Sequence, residues 1–185
     1  MNIQSRALLI TAIALGTTNL AMADSDSYFL DQWKGTPKSY LDKADNEKYL
    51  KECGVCHFAY QPGLLPATSW ERIMTNLSDH FGENAELPAA EANTIRNYLL
   101  NNAAGRVNTS LPKKMLQGSH AKQPVIRISE TPYFKKEHDE IPQKMVKDNP
   151  DVRSFSRCDA CHTRAADASF SEHEIQIPGY GRWED

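Results

Sequence analysis

The sequence of 185 residues predicts a mostly α-helical fold in two parts. Three observations support this prediction. A Cys-x-x-Cys-His segment occurs twice, at residues 53–57 and 158–162, and divides the chain into two halves. In the first half, apolar residues recur with the period of a helix. The second half has little regular periodicity and is interrupted by proline and glycine, which predicts a smaller and more irregular part.

The first 23 residues predict an export signal. Arg6 supplies a positive charge, residues 7–15 are mostly apolar, and residues 21–23 read Ala-Met-Ala, a small-x-small cleavage pattern. We therefore expect cleavage after Ala23 and a periplasmic location. The apolar stretch is too short to anchor a mature chain stably in a bilayer, so we expect no membrane span after cleavage; an uncleaved N-terminal anchor is the alternative. The formal net charge of −3 at pH 7 and the lack of a basic stripe argue against nucleic acid as a partner.

The first half predicts a helix at about 45–53 that runs into the first Cys-x-x-Cys-His segment. Residues 62–66 contain two prolines and a glycine, which predicts a loop, and we expect a carbonyl of this loop beside His57. Ser69 then predicts an N-cap for a helix at about 70–77.

A longer helix is predicted at about 88–103. Pro88 suits a first helical turn, and Gly105 suits the end of a helix. Apolar residues at spacings i, i+3 and i+7 give this helix one core-facing side. These residues are Ala92, Ile95 and Leu99.

The second half gives weaker signals. Residues 105–124 are polar and contain glycine and proline, which predicts a linker. Residues 125–128 alternate as a short strand would. Residues 135–147 predict a weak helix that Pro142 interrupts.

All four cysteines lie in the two Cys-x-x-Cys-His segments. This segment is typical of c-type haem attachment, in which both thiols form thioethers to the porphyrin and the adjacent histidine binds the iron. We therefore predict two covalently bound haem c groups, with His57 and His162 as iron ligands. The predicted attachment residues are Cys53, Cys56, Cys158 and Cys161.

Two disulfides or a four-cysteine zinc site would also use four cysteines. Neither alternative explains why each cysteine pair is followed directly by a histidine. Haem attachment explains both the spacing and the histidines.

The second axial ligand of the first haem is predicted from the order of elements. The first half resembles a class I cytochrome c: a helix enters the motif, a loop and a ligand follow, and a second helix packs on the first. In that fold the ligand comes just before the last helix, which is the place of His80. Met74 competes with His80, and Met115 is a further alternative although it follows the helix.

For the second haem we predict His138, which precedes the motif and leaves enough chain to fold over the iron. The alternatives are His120, His173 and Met145.

The chain as a whole resembles the bacterial dihaem cytochrome c family whose members donate electrons to a small oxygen-binding monohaem cytochrome, the sphaeroides haem protein. The resemblance covers about Lys48 to Asp185. In that family both irons carry two histidines, and the pattern falls here on His80 and His138. The segments that carry the resemblance are 56–60, 62–66, 79–82, 98–103, 131–134, 154–156 and 177–183.

The resemblance implies an electron carrier rather than an enzyme, with no catalytic residues. Two imidazoles leave an iron without an open position, and a second imidazole gives a lower potential than methionine would. We expect other redox proteins as partners, including a small oxygen-binding monohaem cytochrome and a membrane cytochrome donor. The alternative is a small haem enzyme of the peroxidase or nitrite reductase type, or a gas sensor with one open or displaceable axial position. The expected domains are a class I cytochrome c-like haem domain at 24–106 and a second haem-binding domain at 107–185.

Overall fold

The computed structural model describes residues 40–118 and 124–183, which lie within one compact unit, Pro37–Asp185. This described part is mostly helical, as the sequence predicts. The predicted export signal at 1–23 and His120 fall outside the described residues. The division into domains at 24–106 and 107–185 stays a prediction.

Helix α1 spans Glu47–Cys53 and leads into the first motif, as predicted. Its start is fixed by Asn46, whose side chain accepts a hydrogen bond from the backbone N–H of Tyr49 at 2.9 Å. The buried Tyr49 then donates its hydroxyl proton to the carbonyl of Tyr60 at 2.6 Å. The first bond fixes the start of α1, and the second connects α1 to the chain that follows the first motif.

Helix α2 spans Ala67–Met74 and begins three residues earlier than predicted. The predicted N-cap at Ser69 is wrong, because Ser69 lies inside the helix and is buried. Pro66, in extended conformation, already ends the preceding loop and occupies the cap position. Trp70 is buried and donates its indole N–H to the carbonyl of Pro62 at 2.7 Å, so the loop packs on the helix.

Helix α3 spans Ala89–Asn101, with Pro88 at its N-cap position. Ile95 and Leu99 on the predicted apolar side are 0% and 1% exposed, which confirms that this side faces the core. The helix packs on both α1 and α2. The first core cluster consists of Ala44, Tyr49, Ala59, Leu65, Trp70, Ile73, Met74, Ile95, Leu99 and Ala103.

Two predictions for the segment after α3 are wrong. The expected linker contains helix α4, Ser110–Met115, in which Pro112 is tolerated because it lies in the first turn. The expected strand at 125–128 does not form. Residues Ile128–Glu130 form a 3₁₀ turn instead. The alternating residues Ile126 and Ile128 pack against the first core cluster as single side chains, without a partner strand.

The rest of the described chain is built from short elements. Pro142 separates two helices, as expected from its position. Thr131 caps the first of them by accepting a hydrogen bond from the backbone N–H of Phe134. The elements are α5 at Pro132–Glu137, α6 at Gln143–Val146, α7 at Cys158–Cys161, and an antiparallel pair of strands, β1 at Gln176–Ile177 and β2 at Gly181–Arg182.

A second core cluster joins residues that are far apart in the chain: Leu41, Leu64, Met115 and Ala168. Gly63 lies against this cluster, where a Cβ atom would approach the Leu41 side chain to 2.7 Å and that of Pro112 to 2.9 Å. Only glycine lets the loop after the first motif pack this closely.

Candidate functional site

The first Cys-x-x-Cys-His segment lies at the end of α1. Cys53 is the last helical residue, and the chain then turns so that His57 follows the helix. The Nδ1 atom of His57 lies 2.8 Å from the carbonyl oxygen of Phe58. The carbonyl expected from the loop at 62–66 is therefore supplied by Phe58, and the Pro62 carbonyl accepts from Trp70.

His80 lies beside His57. The centroids of the two imidazole rings are 6.1 Å apart, and their planes make an angle of 16°. A tight turn presents His80: its backbone N–H donates to the carbonyl of Glu83 at 2.7 Å, and Phe81 adopts the left-handed region at φ 57°. Burial lowers the pKa of His80, and the charges of His57 and Arg127 lower it further. A neutral imidazole is the form that binds metals.

At the second motif, His138 follows the end of α5. Its ring stacks on Phe134, with centroids 3.8 Å apart and an interplanar angle of 8°. The Nδ1 atom of His138 lies 2.9 Å from the carbonyl oxygen of Phe134. Phe155 contacts His138 with its edge at 5.8 Å between centroids. Together these contacts fix the plane of the His138 ring.

His162 follows α7, and its backbone N–H donates to the carbonyl of Cys158 at 2.8 Å. Its ring centroid is 6.1 Å from that of His138, and the two planes make an angle of 64°. Burial lowers the pKa of His162 to about 4, with a smaller contribution from His138. The Nδ1 atom is buried without a hydrogen-bond partner, which a protein rarely leaves uncompensated.

A cavity of about 790 Å³ surrounds the second pair of histidines. This volume falls in the usual range for cofactor pockets, roughly 300–1,000 Å³. Its lining is mainly apolar and aromatic, with the motif residues at its wall. The lining includes Phe134, His138, Phe155, Cys158, Cys161, His162 and Phe170.

The spacing of both histidine pairs fits a metal held between two imidazoles. Because metal–imidazole bonds are about 2 Å long, each ring centroid lies roughly 3 Å from its metal, and two rings on opposite sides lie roughly 6 Å apart. Both pairs measure 6.1 Å. The structure thus brings His80 to His57 and His138 to His162, whereas iron ligation by these residues stays a prediction.

The alternatives for the cysteines do not fit the geometry. The four cysteines, all within the described part of the chain, form no disulfide with one another. Within residues 40–118 and 124–183, no three His, Cys, Asp or Glu side chains gather as a metal-binding group. The thiols suit covalent attachment at two separate sites.

The competing axial candidates have other surroundings. Met74 is buried in the first core cluster and Met115 in the second. His173 is exposed on a 3₁₀ turn at the cavity wall. Met145 is half-buried in α6.

The comparisons with known proteins agree with this geometry. The sequence profile described as dihaem cytochrome c matches residues 49–170. The chain belongs to the dihaem cytochrome c family. A dihaem cytochrome c from Shewanella baltica is 42% identical, with a TM-score of 0.62, over 75% of this chain and 98% of that one. A dihaem cytochrome c from Rhodobacter sphaeroides is 39% identical, with a TM-score of 0.63, over 69% of this chain and 98% of that one. A search of curated proteins gives no significant match.

Membership confirms the cofactor prediction and its broad function. This dihaem cytochrome c carries two covalently bound haem c groups and is a haem-based electron-transfer protein. Within the described ranges, no helix is long and apolar enough to span a membrane.

Several residues that shape the sites were not among those predicted from the sequence. Phe134 lies four residues before His138 on one helix, a spacing that places side chains together and could have indicated the contact. Phe155 and Arg127 reach their sites through tertiary contacts, for which the sequence contains no local signal.

Proposed function

We propose that this dihaem cytochrome c is an exported, low-potential electron carrier whose irons are each bound by two histidines. His57 and His80 bind the first iron, and His162 and His138 bind the second. The observation that carries the proposal is the separation of 6.1 Å within both pairs of rings.

The protein's own residues prepare these histidines for their role. Hydrogen bonds from Nδ1 of His57 to Phe58 and from Nδ1 of His138 to Phe134 orient the rings and leave Nε2 as the metal-binding nitrogen. When bound, haem iron gains and loses a single electron, and two imidazoles hold its potential low. With two histidines holding each iron, oxygen or peroxide would find no iron position to bind, which favours electron transfer over catalysis.

The location and partners are part of the proposal. The pattern at residues 1–23 supports export to the periplasm, with cleavage after Ala23. The sequence resemblance supports a small oxygen-binding monohaem cytochrome as acceptor and a membrane cytochrome as donor. Stopped-flow mixing of the reduced protein with such an acceptor tests this: we expect a second-order rate that depends on ionic strength.

Carbon monoxide tests the axial ligands. The reduced, fully loaded protein is expected to bind no carbon monoxide at either haem. Paramagnetic resonance of the oxidised protein is expected to show two low-spin ferric signals and no high-spin signal. Rapid stoichiometric binding at one haem would instead support a haem enzyme or a gas sensor.

A further inference from the structure

Tyr60 lies between the two haem sites. Its ring is 5.0 Å from the ring of His57 between centroids, at an interplanar angle of 29°, within the range of aromatic contact. Its hydroxyl donates a hydrogen bond of 2.7 Å to the carbonyl oxygen of Ser156. Ser156 precedes the first cysteine of the second motif, Cys158, by two residues. One side chain therefore contacts the first motif and the chain that leads directly into the second.

The next residue holds the other side of the second motif. Gln61 is 1% exposed and donates its amide N–H to the carbonyl oxygen of Ala165 at 2.6 Å. Ala165 follows His162 by three residues. Tyr49 fixes Tyr60 in turn by donating to its carbonyl. The neighbouring residues Tyr60 and Gln61 thus connect the loop after the first motif to both sides of the second motif. Of these two connections, the one through Tyr60 involves an aromatic ring.

We propose that Tyr60 is the connection through which an electron passes between the two haem sites, by way of its hydrogen bond to Ser156. The inference rests on the proposed electron-carrier function. The route runs from His57 across the ring contact to Tyr60, over the hydrogen bond to Ser156, and along two peptide units to Cys158. One iron is oxidised as the other is reduced by the same electron, no bond forms or breaks, and Tyr60 keeps its proton.

The physical reason is the dependence of electron tunnelling on the intervening medium. Tunnelling weakens more steeply across an unbonded gap than along covalent or hydrogen bonds. The hydroxyl of Tyr60 closes the gap between two parts of the chain that are 96 residues apart in sequence. Removing that hydroxyl opens the gap, while the bond from Gln61 to Ala165 keeps the motifs in place.

Tyr60→Phe tests the inference in the full-length, doubly loaded protein. After photochemical reduction to the one-electron level, the exchange of the electron between haems is followed by absorbance. We expect this internal rate to fall several-fold in Tyr60→Phe. Tyr98→Phe is the matched control, because it loses a tyrosine hydroxyl that does not join the two motifs, and it is expected to keep the wild-type rate.

A second measurement distinguishes a lost electronic connection from a change in the positions of the two haems. Pulsed paramagnetic resonance of the oxidised protein gives the distance between the two irons, which is expected to be the same in Tyr60→Phe and wild type. An unchanged internal rate, an equal fall in Tyr98→Phe, or a changed iron–iron distance in Tyr60→Phe would overturn the inference. If the wild type itself shows no concentration-independent exchange, the proposed carrier function fails as well, whereas fast exchange in wild type and variant alike removes only the role of Tyr60.

Discussion

The two haem sites are built on different scaffolds. The first lies beside helices α1, α2 and α3, whose side chains form a core of their own from residues 44–103. The second lies in short helices, 3₁₀ turns and a two-residue strand pair, and its residues surround a cavity of about 790 Å³. The first motif is thus attached to a core, whereas the second motif borders a cavity.

The sites also differ in how their histidines are oriented. The rings of His57 and His80 are nearly parallel at 16°, whereas those of His138 and His162 are crossed at 64°. Phe134 explains the difference, because its stacked contact with His138 sets the plane of that ring. The two histidine pairs thus have equal spacing and unequal orientation.

The largest effect is expected from removing one motif at a time. Without the second motif, residues 124–183 lose the group around which they pack, and we expect them to lose nearly all hydrogen-exchange protection. Without the first motif, α2 and α3 are expected to keep most of theirs, because their core remains. Equal loss of protection in both variants would contradict the difference between the scaffolds. The variants replace Cys53, Cys56 and His57, or Cys158, Cys161 and His162, by alanine.

The next largest effect is expected from replacing the histidine that we propose as the second ligand of each iron. His80→Ala and His138→Ala are each expected to open one iron, so that the reduced protein binds one carbon monoxide per chain where wild type binds none. His173→Ala is the matched control, because His173 lines the second cavity on an exposed turn. Binding of carbon monoxide by His173→Ala, or its absence in His138→Ala, would move the ligand of the second iron to another residue.

The orientation of the rings predicts a spectroscopic difference. The relative planes of two axial imidazoles set the splitting of the iron d orbitals, so the crossed pair is expected to give the signal with the larger maximum g value. Phe134→Leu releases the stacking on His138 and is expected to shift that signal alone. A matched change at the remote Phe81, Phe81→Leu, is expected to leave the second signal unchanged.

The smallest effect is expected where the two regions join. Gly63→Ala places a methyl group against Leu41 and Pro112 in the tightly packed second cluster. We expect a loss of about 1–3 kcal/mol in the free energy of unfolding, the usual cost of overpacking a core. Denaturant titration measures this loss, and both haem spectra should stay unchanged below the transition.

The local patterns of the sequence predicted the first scaffold better than the second. The spacing of Ile95 and Leu99 identifies the buried side of α3, and the pattern holds because a helix repeats its own geometry. The N-cap prediction at Ser69 was wrong because a serine before a helical pattern resembles an N-cap, whereas α2 begins after Pro66. Residues 125–128 alternate like a strand, yet no strand forms, because alternation does not supply a pairing partner.

The site residues show the same difference: local sequence predicted some of them and not others. The motif residues were predictable because haem attachment depends on a local covalent spacing. His138 was predicted from its position before the motif and from the resemblance, since a lone histidine among charged residues has no local signature. The crossing of its ring with His162, and the bond from Tyr60 to Ser156, depend on contacts that form only when the chain is folded.

The turn that carries His80 is completed by a residue from the other half of the chain. The guanidinium of Arg127 lies 4.2 Å from the centre of the Phe81 ring, and its charge contributes to lowering the pKa of His80. The second region therefore contributes a positive charge to the surroundings of His80 in the first region.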